Sequence, residues 1–157
     1  MTMNLDSTDR KILKLLQQDA NLSASELAER VSLSQSPCWR RINRLQEEGY
    51  IKHRVALLDR QKLGLSLVVF VNIKLSAHGW NMLNEFEASI VSFPEVLECW
   101  TISGGMDYTL RVVTQDISTY EQFLRSRLLQ LPHIQEAQSN IAMTEVKNTT
   151  QLPLDDI

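Results

Sequence analysis

Cysteine is scarce in this chain: Cys38 and Cys99 are the only two, far apart and each among apolar neighbours. Two reduced thiols fit that usage, and a disulfide framework does not. Long apolar runs are also missing. The longest, Leu65 to Val71, is strand-sized and interrupted by Ser66, well short of the ~20 residues a bilayer-spanning helix needs. The opening Met1-Thr2-Met3-Asn4-Leu5-Asp6 lacks the basic start and apolar core of a secretory leader. These absences lead us to expect a cytoplasmic protein with no membrane partner.

Signatures of chemistry are equally thin. His53, His78 and His133 are dispersed, without i, i+4 pairing or a cysteine nearby, so no metal site is expected. No Gly-Lys-Ser/Thr phosphate loop and no Gly-x-Ser-x-Gly elbow occurs. We therefore expect no catalytic residue, no enzyme activity and no cofactor. What remains, 157 residues with 43% hydrophobic and 22% charged, is the make-up of a soluble globular protein. The length suits one ordinary domain or two small ones.

Positive charge is short overall, with a net charge of −3, but its distribution is uneven. Through residue 64 there are 11 Lys and Arg against 8 Asp and Glu; from residue 65 there are 5 against 11. A mildly basic first part beside an acidic remainder suggests that the first part meets a polyanion.

The first part reads as three short helices. Asp6-Ser7-Thr8-Asp9 offers caps for a helix carrying Ile12, Leu13, Leu15 and Leu16 on one face. Ser23-Ala24-Ser25-Glu26 is a capping box, opening a second helix with a Leu27, Ala28, Val31 stripe. At about eight residues that helix is too short to stand alone. The third starts at Ser34, tolerates Pro37 in its first turn and ends at Gly49. At 3.6 residues per turn Cys38, Ile42 and Leu45 share one face, and Ser36, Trp39, Arg40, Asn43 and Arg44 the other.

Tyr50 to Asp59 then reads as an extended segment joining the halves. Leu67 to Leu75 predicts a strand, followed by a helical stripe through Leu83, Phe86 and Ile90. Val96–Ser103 and Tyr108–Thr114 are two strands joined by Gly104-Gly105-Met106-Asp107. Ser118-Thr119-Tyr120-Glu121 reads as a further capping box, opening a helix with Tyr120, Phe123, Leu124 and Leu128 inward. A last strand runs from about Ile134 to Val146. The order is β-α-β-β-α-β. A weak repeat agrees with it, because Phe93-Pro94-Glu95-Val96 and Leu131-Pro132-His133-Ile134 occupy the same helix-to-strand junction. A split βαβ fold has this layout. The expected class is α+β: a helix-turn-helix domain over residues 1–52, a linker strand over 53–64, and a ferredoxin-like domain over 65–157.

A helix-turn-helix reader packs one face of its second helix and offers the other to the major groove. Over residues 24–43 that pattern is present. Gln35, Ser36, Arg40 and Asn43 have the chemistry to read base edges, Arg preferring guanine and Asn or Gln adenine. Arg41, Arg44, Lys52 and Arg54 are better placed for phosphates. Trp39 can cover a sugar-phosphate or a thymine methyl, or lie against its own helix. Trp80 and Trp100 fall in apolar patterns expected to be core or interface. The plainer alternative is a three-helix packing module with a solvated cationic face.

Several stretches carry a resemblance. Asp6-Ser7-Thr8-Asp9-Arg10-Lys11-Ile12-Leu13, Leu27-Ala28-Glu29-Arg30-Val31-Ser32-Leu33-Ser34 and Ser36-Pro37-Cys38-Trp39-Arg40-Arg41-Ile42 resemble the leucine-responsive/asparagine regulator (Lrp/AsnC) family. Val55-Ala56-Leu57-Leu58-Asp59, Gly104-Gly105-Met106-Asp107-Tyr108 and Met143-Thr144-Glu145-Val146-Lys147 do so too, in the family's order. The resemblance implies a winged-helix head, a hinge and a ferredoxin-like regulatory domain. It implies homodimers formed through the sheets, commonly assembled into octamers, with double-stranded DNA and a small amino acid as partners. Within the family the chain is most similar to cysteine-responsive enterobacterial members. It departs from the family turn at Ser32, where Gly or Asn is usual, and a positive φ or a distorted turn is expected there.

The Gly104–Asp107 loop has two readings. Its glycines can serve a tight hairpin, or expose backbone to a ligand whose α-ammonium Asp107 accepts. The resemblance implies an effector pocket using Ser103, Gly104, Gly105 and Asp107 together with Gln138 and Ser139 across a subunit interface. The expected function is sequence-specific DNA binding that responds to a small amino acid and controls amino-acid metabolism genes. The alternative is an amino-acid-binding regulatory subunit of a metabolic enzyme, which leaves the cationic helix without a role. An RNA-binding sheet would need basic charge and exposed aromatics on the acidic second part.

Overall fold

The computed structural model describes residues 5–76 and 79–155; residues 1–4 of the opening segment and His78 lie outside them. The chain divides into two compact units, Met1–Leu57 with Lys147–Ile157, and Leu58–Val146.

The first unit is built on helices α1 (Ser7–Gln18), α2 (Ala24–Arg30) and α3 (Gln35–Glu47). Reciprocal capping opens the first two. Asp6 accepts the Asp9 N–H at 2.8 Å while Asp9 accepts the Asp6 N–H at 3.3 Å. Ser23 and Glu26 make the same exchange at 3.2 and 2.8 Å. No helix here is long enough to hold itself together. Their stability comes from a shared core of Ile12, Leu13, Leu22, Leu27, Ala28, Val31, Cys38, Ile42 and Leu45. Burial pushes the Cys38 thiol's pKa up, as suits a packing residue.

Between α2 and α3, Ser32 has φ +56°, the left-handed conformation expected of it. The Ser32 N–H reaches the Glu29 carbonyl at 3.3 Å and the Leu33 N–H the Ala28 carbonyl at 2.9 Å. This is the Schellman pattern, with serine where glycine is usual. Ser32→Gly should therefore stabilise the unit, by at most ~1–2 kcal/mol, the left-handed penalty for a residue with a Cβ. Urea melts of wild type and variant measure it. A loss of stability would mean that the serine hydroxyl contributes more than its Cβ costs. Gly49, at φ +78°, closes α3 as the sequence predicts.

Two boundaries differ from expectation. Residues 53–64 contain no strand, and 53–59 are all exposed. Val55 and Leu57 alternate like a strand, but extended backbone needs a partner for its hydrogen bonds, and no strand among the described residues supplies one. Residues 147–155 go with the helices, not with the sheet. Gln17 trades two hydrogen bonds with the Leu152 backbone (2.6 and 3.3 Å), Lys14 pairs with Asp155, and Leu154 packs on the helical core.

The second unit contains β1 (Leu67–Leu75), α4 (Trp80–Val91), β2 (Val96–Thr101), β3 (Tyr108–Thr114), α5 (Ile117–Ser126), a 3-10 turn (Leu128–Gln130) and β4 (Ile134–Ile141). The sheet is antiparallel with order β2-β3-β1-β4, the ferredoxin-like β-α-β-β-α-β arrangement. Both repeated junctions lie where a helical segment runs into a strand. One sheet face (Val69, Val71, Ile73, Tyr108, Leu110, Val112) is sealed by Phe86 and Ile90 of α4 and by Tyr120 and Phe123 of α5. Asp116, not Ser118, caps α5. Its carboxylate accepts both the Thr119 N–H and the Thr119 hydroxyl at 2.8 Å, and Ser118, two residues on, is already inside the helix.

The opposite face carries two cross-strand rows, Trp100–Thr109–Asn72–Gln138 and Glu98–Arg111–Phe70–Asn140. Trp100 and Phe70 are 63% and 43% exposed, and Trp80 on α4 is 77% exposed. Neither tryptophan is core within this chain. Val69, Val71 and Ile73, by contrast, are covered by the chain's own helices.

Candidate nucleic-acid interface and effector site

Helix α3 is amphipathic in the required sense. Cys38, Ile42 and Leu45 are at most 5% exposed, anchoring it on α1 and α2. Gln35, Ser36, Trp39 and Arg40 project into solvent, and Asn43 is half-buried beside them. Arg40 forms no ion pair with any described residue. Its guanidinium is available for a bidentate partner. Trp39, 55% exposed, stands clear of the core. Lys52 and Arg54 are exposed beyond the helix, with Arg54 donating to the Ala20 carbonyl at 3.4 Å.

Arg41 and Arg44 sit differently. They lie on the flank of α3 that faces the start of α1. Arg41 Nη1 donates to Asp6 at 2.5 Å and to Asp9 at 2.8 Å; Arg44 Nη2 donates to Asp9 at 2.5 Å, and Arg44 Nε lies 3.9 Å from Glu48. The Asp9 side chain is 1% exposed, so its charge is compensated within the unit, by these arginines and by the Asp6 N–H. The backbone N–H of Asp9 and then Arg41 hold the Asp6 carboxyl below its ordinary pKa. Bonds from Asp9 and Asp6 in turn raise Arg41. Asp6, Pro37, Arg40, Arg41 and Arg44 border an open groove of about 440 Å³. Sequence reasoning found the two arginines and missed their partners. Its only signal for the acids was capping, although their i, i+3 spacing mirrors that of Arg41 and Arg44.

The effector set is only partly gathered within one chain. Gly104 has φ +125°, which favours glycine; Gly105 does not share that conformation. No described atom lies within 4 Å of where a Cβ would stand on either, so the chain's own packing does not require glycine at 105. Ser103, Gly104 and Gly105 are exposed. Asp107 is committed in part: its Oδ2 accepts the Leu75 N–H at 2.7 Å, and its own N–H donates to Ile73 O at 2.8 Å. The carboxylate thus continues the β1–β3 ladder one step beyond Tyr108, beside the β1–β4 register shift at Lys74/Leu75.

Gln138 and Ser139 lie on β4, opposite Asn72 and Val71, two strands from β3. As neighbours on a strand they point to opposite faces. Gln138 bonds Glu136 on the uncovered face, and Ser139 meets the Tyr120 hydroxyl at 2.5 Å on the helical face. A single chain does not focus these groups on one point. Among the described residues no cluster of three metal-ligating side chains occurs, and no helix is long and apolar enough to cross a membrane.

Comparison with known proteins accounts for both units. Residues 5–52 match the family model for a winged helix-turn-helix DNA-binding domain, and residues 68–152 that for the Lrp/AsnC ligand binding domain. The DNA-binding transcriptional activator DecR of Escherichia coli K12 is 41% identical, covering 96% of this chain and 99% of its own. The leucine-responsive regulatory protein of the same strain is 38% identical over 95% and 91%. Among solved structures, a Neisseria meningitidis transcriptional regulator in complex with L-Met superposes with a TM-score of 0.93 at 38% identity, covering 97% and 98% of the two chains. An AsnC family transcriptional regulator from Agrobacterium tumefaciens gives 0.92 at 44%, covering 96% and 97%. The chain belongs to the Lrp/AsnC family of transcription regulators.

Proposed function

We propose that this chain is a sequence-specific DNA-binding regulator whose occupancy of double-stranded DNA is set by a small amino acid, and that it acts in the cytoplasm on genes of amino-acid metabolism. The observation that carries the reading is the outward face of α3. Gln35, Ser36, Arg40 and Asn43 stand on a helix whose other side is fully packed, as groove insertion requires. Trp39, Lys52 and Arg54 flank that face and serve the sugar-phosphate backbone. The amino acid occupies the Gly104–Asp107 loop, with Ser103 and the backbone at Gly104 and Gly105 receiving its carboxylate and Asp107 its ammonium. Gln138 and Ser139 come from a second copy, because one chain keeps them two strands away. The chemistry needs no cofactor.

Capture of genomic fragments by the full chain, with and without each of a panel of amino acids, tests this. Cysteine belongs in the panel on family resemblance, and methionine because the Neisseria relative holds it. A discrete set of fragments whose recovery shifts with one amino acid is expected. A chain that binds an amino acid yet captures no fragment would favour the metabolic-subunit alternative.

The same reading requires self-association through the uncovered sheet face, where Phe70 and Trp100 stand exposed around the Arg111–Glu98 pair. Exposed aromatics rimmed by paired charge mark an interaction surface. A fragment spanning residues 58–146 should sediment as a dimer or larger at micromolar concentration. A folded monomer there would contradict this assembly.

A further inference from the structure

We propose that Asp9, assisted by Asp6, is a specificity-determining positioning residue: it holds Arg41 and Arg44 against α1, fixing the roll of α3 and keeping both cations off the DNA backbone. The inference rests on the DNA-binding reading above. Four side chains carry it. Asp6, the N-cap of α1, and Asp9 in its first turn are i, i+3, Arg41 and Arg44 are i, i+3 on α3, and three contacts of 2.5–2.8 Å join them.

A helix seated only on apolar contacts at Cys38, Ile42 and Leu45 can roll, since dispersion and burial are non-directional. Charge-assisted bonds to a guanidinium are directional. With Asp9 1% exposed, releasing either arginine leaves an undercompensated buried charge, a costly state. The clasp therefore aims Ser36, Arg40 and Asn43 outward and leaves few alternatives. It also has an electrostatic consequence. An arginine bonded to a carboxylate is already neutralised and cannot contribute fully to the counterion release that drives sequence-independent binding. Asp9 thus acts on discrimination from both sides, aligning the base-reading face and suppressing affinity for every other sequence.

The test compares the full-length wild type with Asp9→Asn and Asp6→Asn. Each is titrated against a duplex recovered by genomic capture and a random duplex of equal length, across a salt series. Asn at position 6 remains an N-cap acceptor, and Asp6 is half exposed, so this variant keeps the assay informative if Asp9→Asn does not fold. For Asp9→Asn we expect random-duplex affinity to rise and the log–log salt slope to steepen by about 0.9 for each arginine reaching a phosphate. The ratio of specific to random affinity should fall about tenfold, the scale of one misplaced base contact. Asp6→Asn should move the same readouts in the same direction by less. A residue that merely stabilised the fold would lower both affinities together and leave the slope unchanged. That result, or no change in folded variants, overturns the proposal. A wild type that binds neither duplex removes the DNA-binding reading and this proposal with it.

Discussion

Arg40→Ala should lower affinity for a specific site by roughly 5- to 150-fold, the ~1–3 kcal/mol of one bidentate base contact. Binding to random duplex should barely move. The expectation follows from placement. Arg40 is central on the exposed face of α3 and forms no ion pair with a described residue. Its loss therefore leaves no buried acid behind and does not disturb Cys38, Ile42 or Leu45. Fluorescence anisotropy against both duplexes separates the outcomes. Equal losses on the two would place Arg40 on phosphate and move the base-reading role elsewhere on the helix.

Asp107→Asn should weaken effector binding on the order of 10- to 100-fold, the span of a hydrogen bond to a charged group, and leave DNA binding without effector intact. Asparagine is the informative change. Its side-chain oxygen can still accept the Leu75 N–H that Asp107 holds at 2.7 Å, so the ladder survives while the negative charge goes. Asp107→Ala removes both and leaves the donor of a buried residue (Leu75 is 1% exposed) unpaired, costing ~1–3 kcal/mol of stability. Calorimetry against the amino acid, paired with a thermal melt, resolves the two roles. Unchanged affinity in a folded Asp107→Asn protein would mean that the carboxylate serves the sheet alone.

Much of this was legible in the residues because local pattern and tertiary demand agree. The strand Leu67–Leu75 alternates buried and less buried positions, and the α3 stripe at Cys38, Ile42 and Leu45 repeats at helical spacing. The left-handed turn at Ser32 was legible through the family resemblance, which puts Gly or Asn at that position. The misses share a cause, which is that the partner is not local. Ser118-x-x-Glu121 fits a capping box as well as Asp116 fits a cap, and only the fold shows which oxygen meets Thr119. Val55 and Leu57 alternate correctly for a strand with no neighbour to pair. The acids that Arg41 and Arg44 bond went unread because they come from the start of α1, far from α3 in sequence. The attachment of residues 147–155 to the helical unit through Gln17 and Lys14 has no periodic signature at all. Of the effector set, the loop was visible as a glycine pair beside an acid. That Asp107 also completes the β1–β3 ladder was not.

The central claim is that amino-acid and DNA binding are coupled in one molecule, and linkage makes that claim quantitative. If the amino acid changes the affinity for a captured duplex by some factor, the duplex must change the affinity for the amino acid by the same factor. Calorimetric titration of the full chain with the amino acid, alone and saturated with the duplex, measures one side; duplex titrations with and without the amino acid measure the other. The account predicts equal factors different from one. An amino acid bound with the same affinity by free and DNA-loaded protein, with duplex affinity unmoved, would contradict it.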